Sequence, residues 1–229
     1  LLMIEQQVCS LAEAYEIIVI NDGSTDNTEA EIQKACAQHA RIRMISYPHN
    51  MGKGYALRQG TESAAGDYIA FCDADLELAP IQLADFILRM REGNADVVIG
   101  SKMHRDSKVN YPLIRRIYSY GYYLLLLFLF RLQLLDTQSG MKLFKAEVLK
   151  PVMRQILVKR FAFDIEILAI IHSRGYRILS APIEVKFKRE AFGRLGWKDI
   201  RNMLVDTLAV FYRLKILHYY DRAQSIQND

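Results

Sequence analysis

The sequence predicts an α/β fold, a mainly parallel sheet flanked by helices. Three observations carry that expectation. Over the first hundred residues, short apolar runs alternate with longer runs of helical period. The links between them are short, as strand–helix–strand units with parallel pairing require. Polar, glycine-containing stretches follow the strands directly, at the carboxyl ends where such sheets bind ligands.

Each element has its own signal. Leu1 to Ala14 is apolar-periodic and reads as a helix. EIIVI at 16–20 is rich in β-branched residues and reads as a strand. NDGSTDNT follows at 21–28; Gly23 suits a tight turn, Ser24 or Thr25 suits a cap, and a helix is expected from about Asp26. RIRMIS at 41–46 is a second strand, succeeded by Asn50-Met51-Gly52-Lys53-Gly54 and a helix from about Lys53. YIAFC at 68–72 is a third strand and leads into Asp73-Ala74-Asp75, with a helix opening at Pro80, where proline is tolerated. DVVIG at 96–100 is a fourth. Beyond it, 112–130 reads as a very apolar helix, 141–155 and 163–174 as a strand and two helices, and 176–187 as two short extended pieces. A basic, aromatic, amphipathic segment begins at Trp197.

Composition narrows the function classes. With 51% hydrophobic and 24% charged residues, the 229-residue chain is ordinary globular protein, long enough for one large domain or two small ones. A net charge of +4 is too weak to indicate nucleic acid, which we do not expect as a partner. Cys9, Cys36 and Cys72 are odd in number and widely spaced, indicating neither a disulfide framework nor a zinc site. The five histidines are scattered and read as surface or structural residues.

The strand ends carry the chemistry. Asp73 and Asp75 lie one residue apart, on one face of an extended chain, and repel each other unless a cation lies between them. Hard divalent cations take carboxylate oxygens and share them with substrate phosphates, so the pair is read as a metal site. The glycines around Lys53 let backbone approach a ligand, and the lysine suits a phosphate; the spacing is not that of a P-loop.

Taken in order, NDGSTDNT, NMGKGYALRQG, GDYIAFCDADLE, DTQSGMKLF and FAFDIEIL resemble the family 2 glycosyltransferases with the GT-A fold, a Rossmann-like nucleotide-binding architecture. Within that family the chain is most similar to the dolichyl-phosphate and polyprenyl-phosphate mannose or glucose synthases, from about residue 10 to about residue 215. The resemblance implies metal-dependent transfer of a hexose from a GDP- or UDP-linked donor to a polyprenyl or dolichyl phosphate, with inversion. It implies Mg²⁺ or Mn²⁺ at Asp73 and Asp75, and a nucleotide sugar at Asp22, Gly23, Lys53 and Asp73, with Asp22 on the base. Asp136, Asp164 and Glu166 become candidates to position or deprotonate the acceptor, and Arg115, Arg189 and Arg194 to bind its phosphate. A lipid phosphate is already an anion and needs mainly positioning, whereas a hydroxyl acceptor needs a strong base.

Departures from the family pattern accompany the match. Members begin with a strand and a Pro-x-Tyr-Asn-Glu type loop that holds the base, which nothing here matches, so the first strand is expected to be missing and Leu1 to Ala14 to be the helix after it. Asn21 replaces the first Asp of the usual Asp-Asp-Gly-Ser. Ser101-Lys102 stands where Ser-Arg is usual, the lysine keeping the charge without the bidentate fork. A remnant without activity, and transfer to a soluble polysaccharide, remain as alternatives. A haloacid-dehalogenase-type phosphatase also places Asp-x-Asp after a strand, but expects Thr or Val soon after the pair, where this chain has Leu76-Glu77.

Two segments suit a membrane surface. YYLLLLFLF, from Tyr122 to Phe130, falls short of the ~20 residues that span a bilayer and reads either as core or as an interfacial helix. The segment from Trp197 to Tyr220 mixes apolar and aromatic residues with Lys198, Arg201, Arg213 and Lys215, as a helix at a headgroup surface does; a closing core helix is the alternative. The expected organisation is a catalytic domain over 1–196, with a nucleotide-sugar half to about 105 and an acceptor half after it, then an amphipathic helix and tail over 197–229. The expected location is peripheral, on the cytoplasmic face of a membrane.

Overall fold

The computed structural model describes residues 1–12, 14–109, 113–158, 162–185 and 197–221, with the side chains of 113–115 and 197–199 outside that description. In chain order the elements are α1 (Leu2–Val8), β1 (Ile17–Asp22), α2 (Thr28–Gln38), β2 (Ile42–Tyr47), α3 (Lys53–Ser63) and β3 (Tyr68–Phe71). A 3₁₀ turn at Pro80–Gln82 then leads into α4 (Leu83–Glu92), β4 (Val97–Ser101), α5 (Leu113–Phe130), β5 (Lys142–Lys145) and α6 (Ala146–Met153). The chain closes with α7 (Phe163–Ser173), β6 (Ile178–Pro182) and α8 (Trp197–Phe211), which continues as a π-helical turn over Tyr212–Ile216.

The strands form two sheets rather than one. β1 and β2 are a parallel pair, and the larger sheet runs β3-β5-β4-β6. Among the described residues, β1 and β3 each have a single strand neighbour. The isoleucines and valine of β1 are accordingly only half-buried, though apolar enough for a central strand. In the larger sheet β4 and β6 are parallel, while β5 runs antiparallel to both neighbours, a reversal the parallel expectation did not include. Its cause is the route of the chain. After β4 the chain passes through α5 and re-enters the sheet at the end where β4 finished, so Lys142 opens β5 opposite both Phe71 and Ile99. Residues 136–140 are thereby held at the carboxyl ends of β3 and β4.

Both faces of the larger sheet are covered. Side chains alternate along a strand, so Val97 and Ile99 of β4 and Phe144 of β5 join a core with α5, α6 and α7. Val98 and Leu143 point the other way, into a second core with Leu83, Phe86 and Met90 of α4. Burial on both sides explains why β4 reads as an unbroken apolar run. Helix α7 is buried on every side from Phe163 to Ile171, its apolar residues in the core and its two carboxylates, Asp164 and Glu166, requiring buried partners.

The segment from Trp197 is part of the fold, not a tail laid beside it. Val210, Leu214 and Tyr220 are buried in the first core. Phe211 meets Phe130 edge to face at 6.0 Å, and the Tyr122 hydroxyl bonds Thr207 Oγ1 at 2.9 Å. Of the two readings of this segment, the packing is that of a closing core helix. Arg213, expected on the basic outer face, turns inward to lie 3.6 Å from Glu166.

Glu166 itself is the buried tie that holds this closing segment. Its Oε2 accepts the backbone N–H groups of Leu157 at 3.0 Å and Val158 at 2.7 Å, and its Oε1 accepts the Tyr220 hydroxyl in a short hydrogen bond. Burial pushes its carboxyl above the usual range, against the pull of these donors and Arg213. A carboxylate so fully occupied anchors α7 to the C-terminal segment; its expected place at the acceptor is corrected accordingly.

Replacing Tyr220 with Phe removes the donor and leaves Glu166 under-satisfied in the core. The expected loss is about 2 kcal/mol, a fall of about 4–8 °C in the melting temperature, measured by thermal unfolding. A change below 1 °C would show that Glu166 does not anchor the segment.

Candidate active site

The strand ends form one polar edge, built from three backbone devices. In the first, Asn21 is buried and accepts the Ser24 N–H at 3.2 Å while donating to Ser46 Oγ at 3.0 Å, which ties the turn after β1 to β2. Gly23 sits at φ +70°, and a Cβ there would come within 2.6 Å of the backbone of His49 and Asn50.

The second is Asp22. Its carboxylate accepts the N–H groups of Met51 at 2.7 Å and Gly52 at 3.0 Å, fixing the entry to α3. Asp22 thereby holds the loop at the end where a nucleotide contact is expected of it. Burial, reinforced by the Asp22 charge, raises the Tyr47 hydroxyl above its ordinary pKa. Lys53, the first residue of α3, is positioned as a result.

The third is the loop after β3. Lys53 Nζ lies 2.5 Å from Asp73 Oδ1, and the two side chains are 49% and 40% exposed. The cation that the Asp73–Asp75 pair demands is thus supplied, in part, by the chain itself. Asp75 Oδ1 accepts the Glu77 N–H at 3.0 Å, and Leu76 between them is left-handed at φ +57°. That conformation costs a non-glycine residue about 1–2 kcal/mol, and such strain gathers at functional sites. Asp73, Asp75, Glu77, Lys102, Gln138 and Gly140 line a cleft of about 80 Å³. A larger hollow of about 820 Å³ lies between Leu1, Leu2 and α2, away from these groups.

Gly140 lies against the Asp73 side chain. A Cβ at that position would collide with the Asp73 carboxylate, which would have to rotate out of its present place, away from Lys53. Asp136 shapes the same loop by accepting the N–H groups of Lys102 at 2.9 Å and Gln138 at 3.1 Å. Beneath it, Lys142 Nζ bonds the Ser139 carbonyl at 2.5 Å and Asp164 Oδ1 at 2.7 Å, with side-chain exposures of 4% for Lys142 and 9% for Asp164. Burial raises the Asp164 carboxyl, opposed by Lys142 and Lys53, while the Asp73 charge adds to the rise. Through Lys142 and the Ser139 carbonyl, Asp164 braces the loop that backs the cleft.

Among the sequence-predicted residues, the structure gathers Asp73, Asp75, Lys53, Asp136 and Asp164 around this edge, with Asp22 and Gly23 holding the adjoining loop. Glu166 is turned into the core. Arg115 lies in α5 with its side chain outside the description, and Arg189 and Arg194 lie outside the described residues. Sequence reasoning missed Lys142, Gly140 and Glu77. The available signal for Lys142 was an ionisable residue opening the otherwise apolar strand MKLF, which requires a buried partner.

No group of three or more His, Cys, Asp and Glu side chains suited to a metal occurs among the described residues. Two carboxylates suit a hard divalent ion whose remaining ligands are water and substrate phosphates. The glycine-backed approach to Asp73 leaves that carboxylate at the cleft, and the donor set fits.

The family model described as glycosyl transferase family 2 matches residues 2–153. The chain belongs to that family. Its relatives include a dolichyl-phosphate beta-glucosyltransferase of Trichomonas vaginalis, 32% identical over 219 residues, with 91% of this chain and 65% of the relative covered. Another is the dolichyl-phosphate beta-glucosyltransferase of Saccharomyces cerevisiae, 31% identical over 206 residues, covering 80% and 61%. The chain therefore spans less than two thirds of the length of these relatives. Among solved structures, glucosyl-3-phosphoglycerate synthase from Mycobacterium tuberculosis, in complex with Mn²⁺, UDP-glucose and phosphoglyceric acid, superposes with a TM-score of 0.69 at 19% identity, covering 91% of this chain and 74% of that one. This likeness establishes the GT-A fold. The family 2 match spans all three devices, from the turn after β1 to the Lys142 strand.

The turn after β1 can be tested against a neutral site. Gly23→Ala should cost about 1–3 kcal/mol, because both its backbone and the space beside it demand glycine. Gly121→Ala, with nothing within 4 Å of a new Cβ inside α5, should gain about 0.5–1 kcal/mol. Urea unfolding of the two variants measures both, and equal effects would refute the close approach at Gly23.

Proposed function

We propose that this chain transfers glucose, with inversion, from a nucleoside-diphosphate sugar to a polyprenyl phosphate of the dolichyl type. The relatives named as dolichyl-phosphate beta-glucosyltransferases support the sugar and the acceptor. The observation that carries the reading is the carboxylate pair Asp73 and Asp75 at the end of β3, backed by Gly140 and flanked by Lys53.

In this reaction an oxygen of the acceptor phosphate attacks the anomeric carbon. The bond from that carbon to the donor diphosphate breaks, and the nucleoside diphosphate leaves with the electron pair. Asp73 and Asp75 would hold Mg²⁺ or Mn²⁺, which supplies Lewis-acid neutralisation of the departing diphosphate. Lys53 and Lys102 add positive charge on the same side. Gly23, Asp22 and the 50–52 loop shape the donor end, and Asp136 and Asp164 position the 136–140 loop against the acceptor.

The state of the carboxylates favours a phosphate over a hydroxyl acceptor. Asp136 is held by two backbone N–H groups, Asp164 by Lys142, and Glu166 by four donors. A hydroxyl acceptor needs a base ready to take its proton, whereas an anionic phosphate needs placement and screening. The anchoring roles of these carboxylates suit the second case. Arg115, Arg189 and Arg194 remain the proposed ligands of the acceptor phosphate.

An acceptor on a long isoprenoid chain stays in the bilayer, so the site must come to the headgroups. No helix among the described residues is long and apolar enough to cross a membrane. Instead α5 exposes Ile117, Tyr120, Leu124 and Phe128 at helical spacing, Phe128 at 84%. Neighbouring α8 exposes Val205, Leu208 and Tyr212 between Arg201 and Lys215. Apolar stripes with basic ends suit peripheral attachment to an anionic leaflet, proposed here as the cytoplasmic face.

Transfer of radiolabelled glucose from UDP-glucose or GDP-glucose to dolichyl phosphate, with Mg²⁺ or Mn²⁺, tests the function directly. Asp75→Asn and Asp73→Asn should each reduce the rate by about a hundredfold or more, with melting temperature in metal-free buffer unchanged or raised for Asp75→Asn, which removes a repelling charge, and unchanged or slightly lowered for Asp73→Asn, which also gives up the Lys53 ion pair. Full activity in either variant would overturn the site.

The membrane reading has its own measurement. Truncation before Trp197 would strip Val210, Leu214 and Tyr220 from the core, so surface substitutions are the cleaner probe. Phe128→Ser combined with Leu208→Ser should lower partitioning onto anionic vesicles by about tenfold, with unchanged melting temperature. Partitioning should also weaken with salt. Equal sedimentation of wild type and double variant with vesicles would refute the role of these stripes.

A further inference from the structure

We propose that Lys53 is a built-in counter-cation of Asp73, which a divalent metal must displace, and that this displacement couples metal binding to donor binding. The inference rests on the metal reading above and concerns the order in which the site is filled.

The two carboxylates of the pair are not equivalent. Asp73 Oδ1 is taken by the Lys53 ammonium at 2.5 Å, and its other oxygen faces the Gly140 backbone. Among the described residues, Asp75 receives a local N–H from Glu77. Lys53 is not there by sequence proximity, for 20 residues separate it from Asp73. It is aimed across the cleft by the first turn of α3, itself anchored by Asp22 to the N–H groups of Met51 and Gly52. An ammonium so placed compensates the Asp73–Asp75 repulsion while the site lacks metal.

An ammonium and a divalent ion cannot share one carboxylate oxygen without strong mutual repulsion. Metal entry at Asp73 therefore requires Lys53 to swing away. Lysine is a compact point charge on a flexible stem, and at half exposure it has room to move. A diphosphate brought into the cleft gives it a new partner. A donor that draws Lys53 off Asp73 raises the affinity for metal, and by linkage the metal raises the affinity for donor to the same extent. Half-exposed ion pairs are individually weak, so the coupling is on the order of three- to tenfold.

The test is titration of the full chain with Mn²⁺, followed by calorimetry and by the EPR signal of free Mn²⁺, without acceptor and without turnover. It compares wild type with K53M, K53R and D75N, alone and with UDP or GDP. K53M should bind Mn²⁺ about three- to tenfold more tightly than wild type when no nucleotide is present, and K53R should match wild type. The gain in Mn²⁺ affinity caused by the nucleotide should shrink in K53M. Equal or weaker Mn²⁺ binding by K53M, or tightening in K53R as large as in K53M, overturns the counter-cation role. If D75N loses Mn²⁺ while wild type and K53M bind equally, only the Lys53 proposal fails. If no variant binds Mn²⁺ with or without nucleotide, the metal reading fails with it.

Discussion

The candidate site depends on one buried lysine. Lys142 opens β5 between the carboxyl ends of β3 and β4, its backbone opposite Phe71 and Ile99. Its ammonium bonds the Ser139 carbonyl and the Asp164 carboxylate in a nearly dry setting. Removing one partner of such a pair leaves an uncompensated buried charge, a cost of about 3–5 kcal/mol. The pair therefore holds the 136–140 loop in one place, and Gly140 in that loop presses on Asp73. The antiparallel insertion of β5 is what brings chain from the second half of the sequence to the ends of strands from the first.

Electrostatics at the edge follows from that geometry. Asp73 is paired with Lys53, while among the described residues Asp75 accepts a local N–H. A site of this kind keeps its negative charges compensated by its own lysines until a more highly charged ligand arrives. The strained backbone at Leu76 belongs to the same loop, where Leu78 pairs with Val185 and so fixes its far side. Rigid surroundings are what allow a strained loop to persist.

A second buried carboxylate does a different job two residues along the same helix. Two residues on a helix differ by about 200° in direction, so Asp164 and Glu166 face opposite sides of α7. Asp164 meets Lys142 under the cleft, while Glu166 meets Leu157, Val158, Tyr220 and Arg213. Helix α7 thus connects the polar edge of the sheet to the segment that closes the core. The same closure leaves an apolar stripe of α8 outside, beside that of α5. Core packing and an outward-facing stripe coexist on α8, because a helix in contact on one side keeps its opposite face free.

The sequence by itself determined the local elements and their chemistry. Short apolar, β-branched-rich runs marked β1 through β4, and NDGS, NMGKG and DADLE marked the turns that follow three of them, because strand and turn signals act over a few residues. The ordered motifs also marked the family, now shown by the match over 2–153. Tertiary structure alone decided which polar residues meet. Nothing in the separate stretches says that Lys53 will neutralise Asp73, that Gly140 will lie against the Asp73 carboxylate, or that Lys142 will pair with Asp164. It also sent Glu166 and Arg213 inward, since the pattern FDIEIL does not tell which side of a wholly buried helix will find donors. The physical reason is that partners 20 or more residues apart are chosen by chain path and register, and the direction of β5 was set by the route through α5, not by any propensity of MKLF.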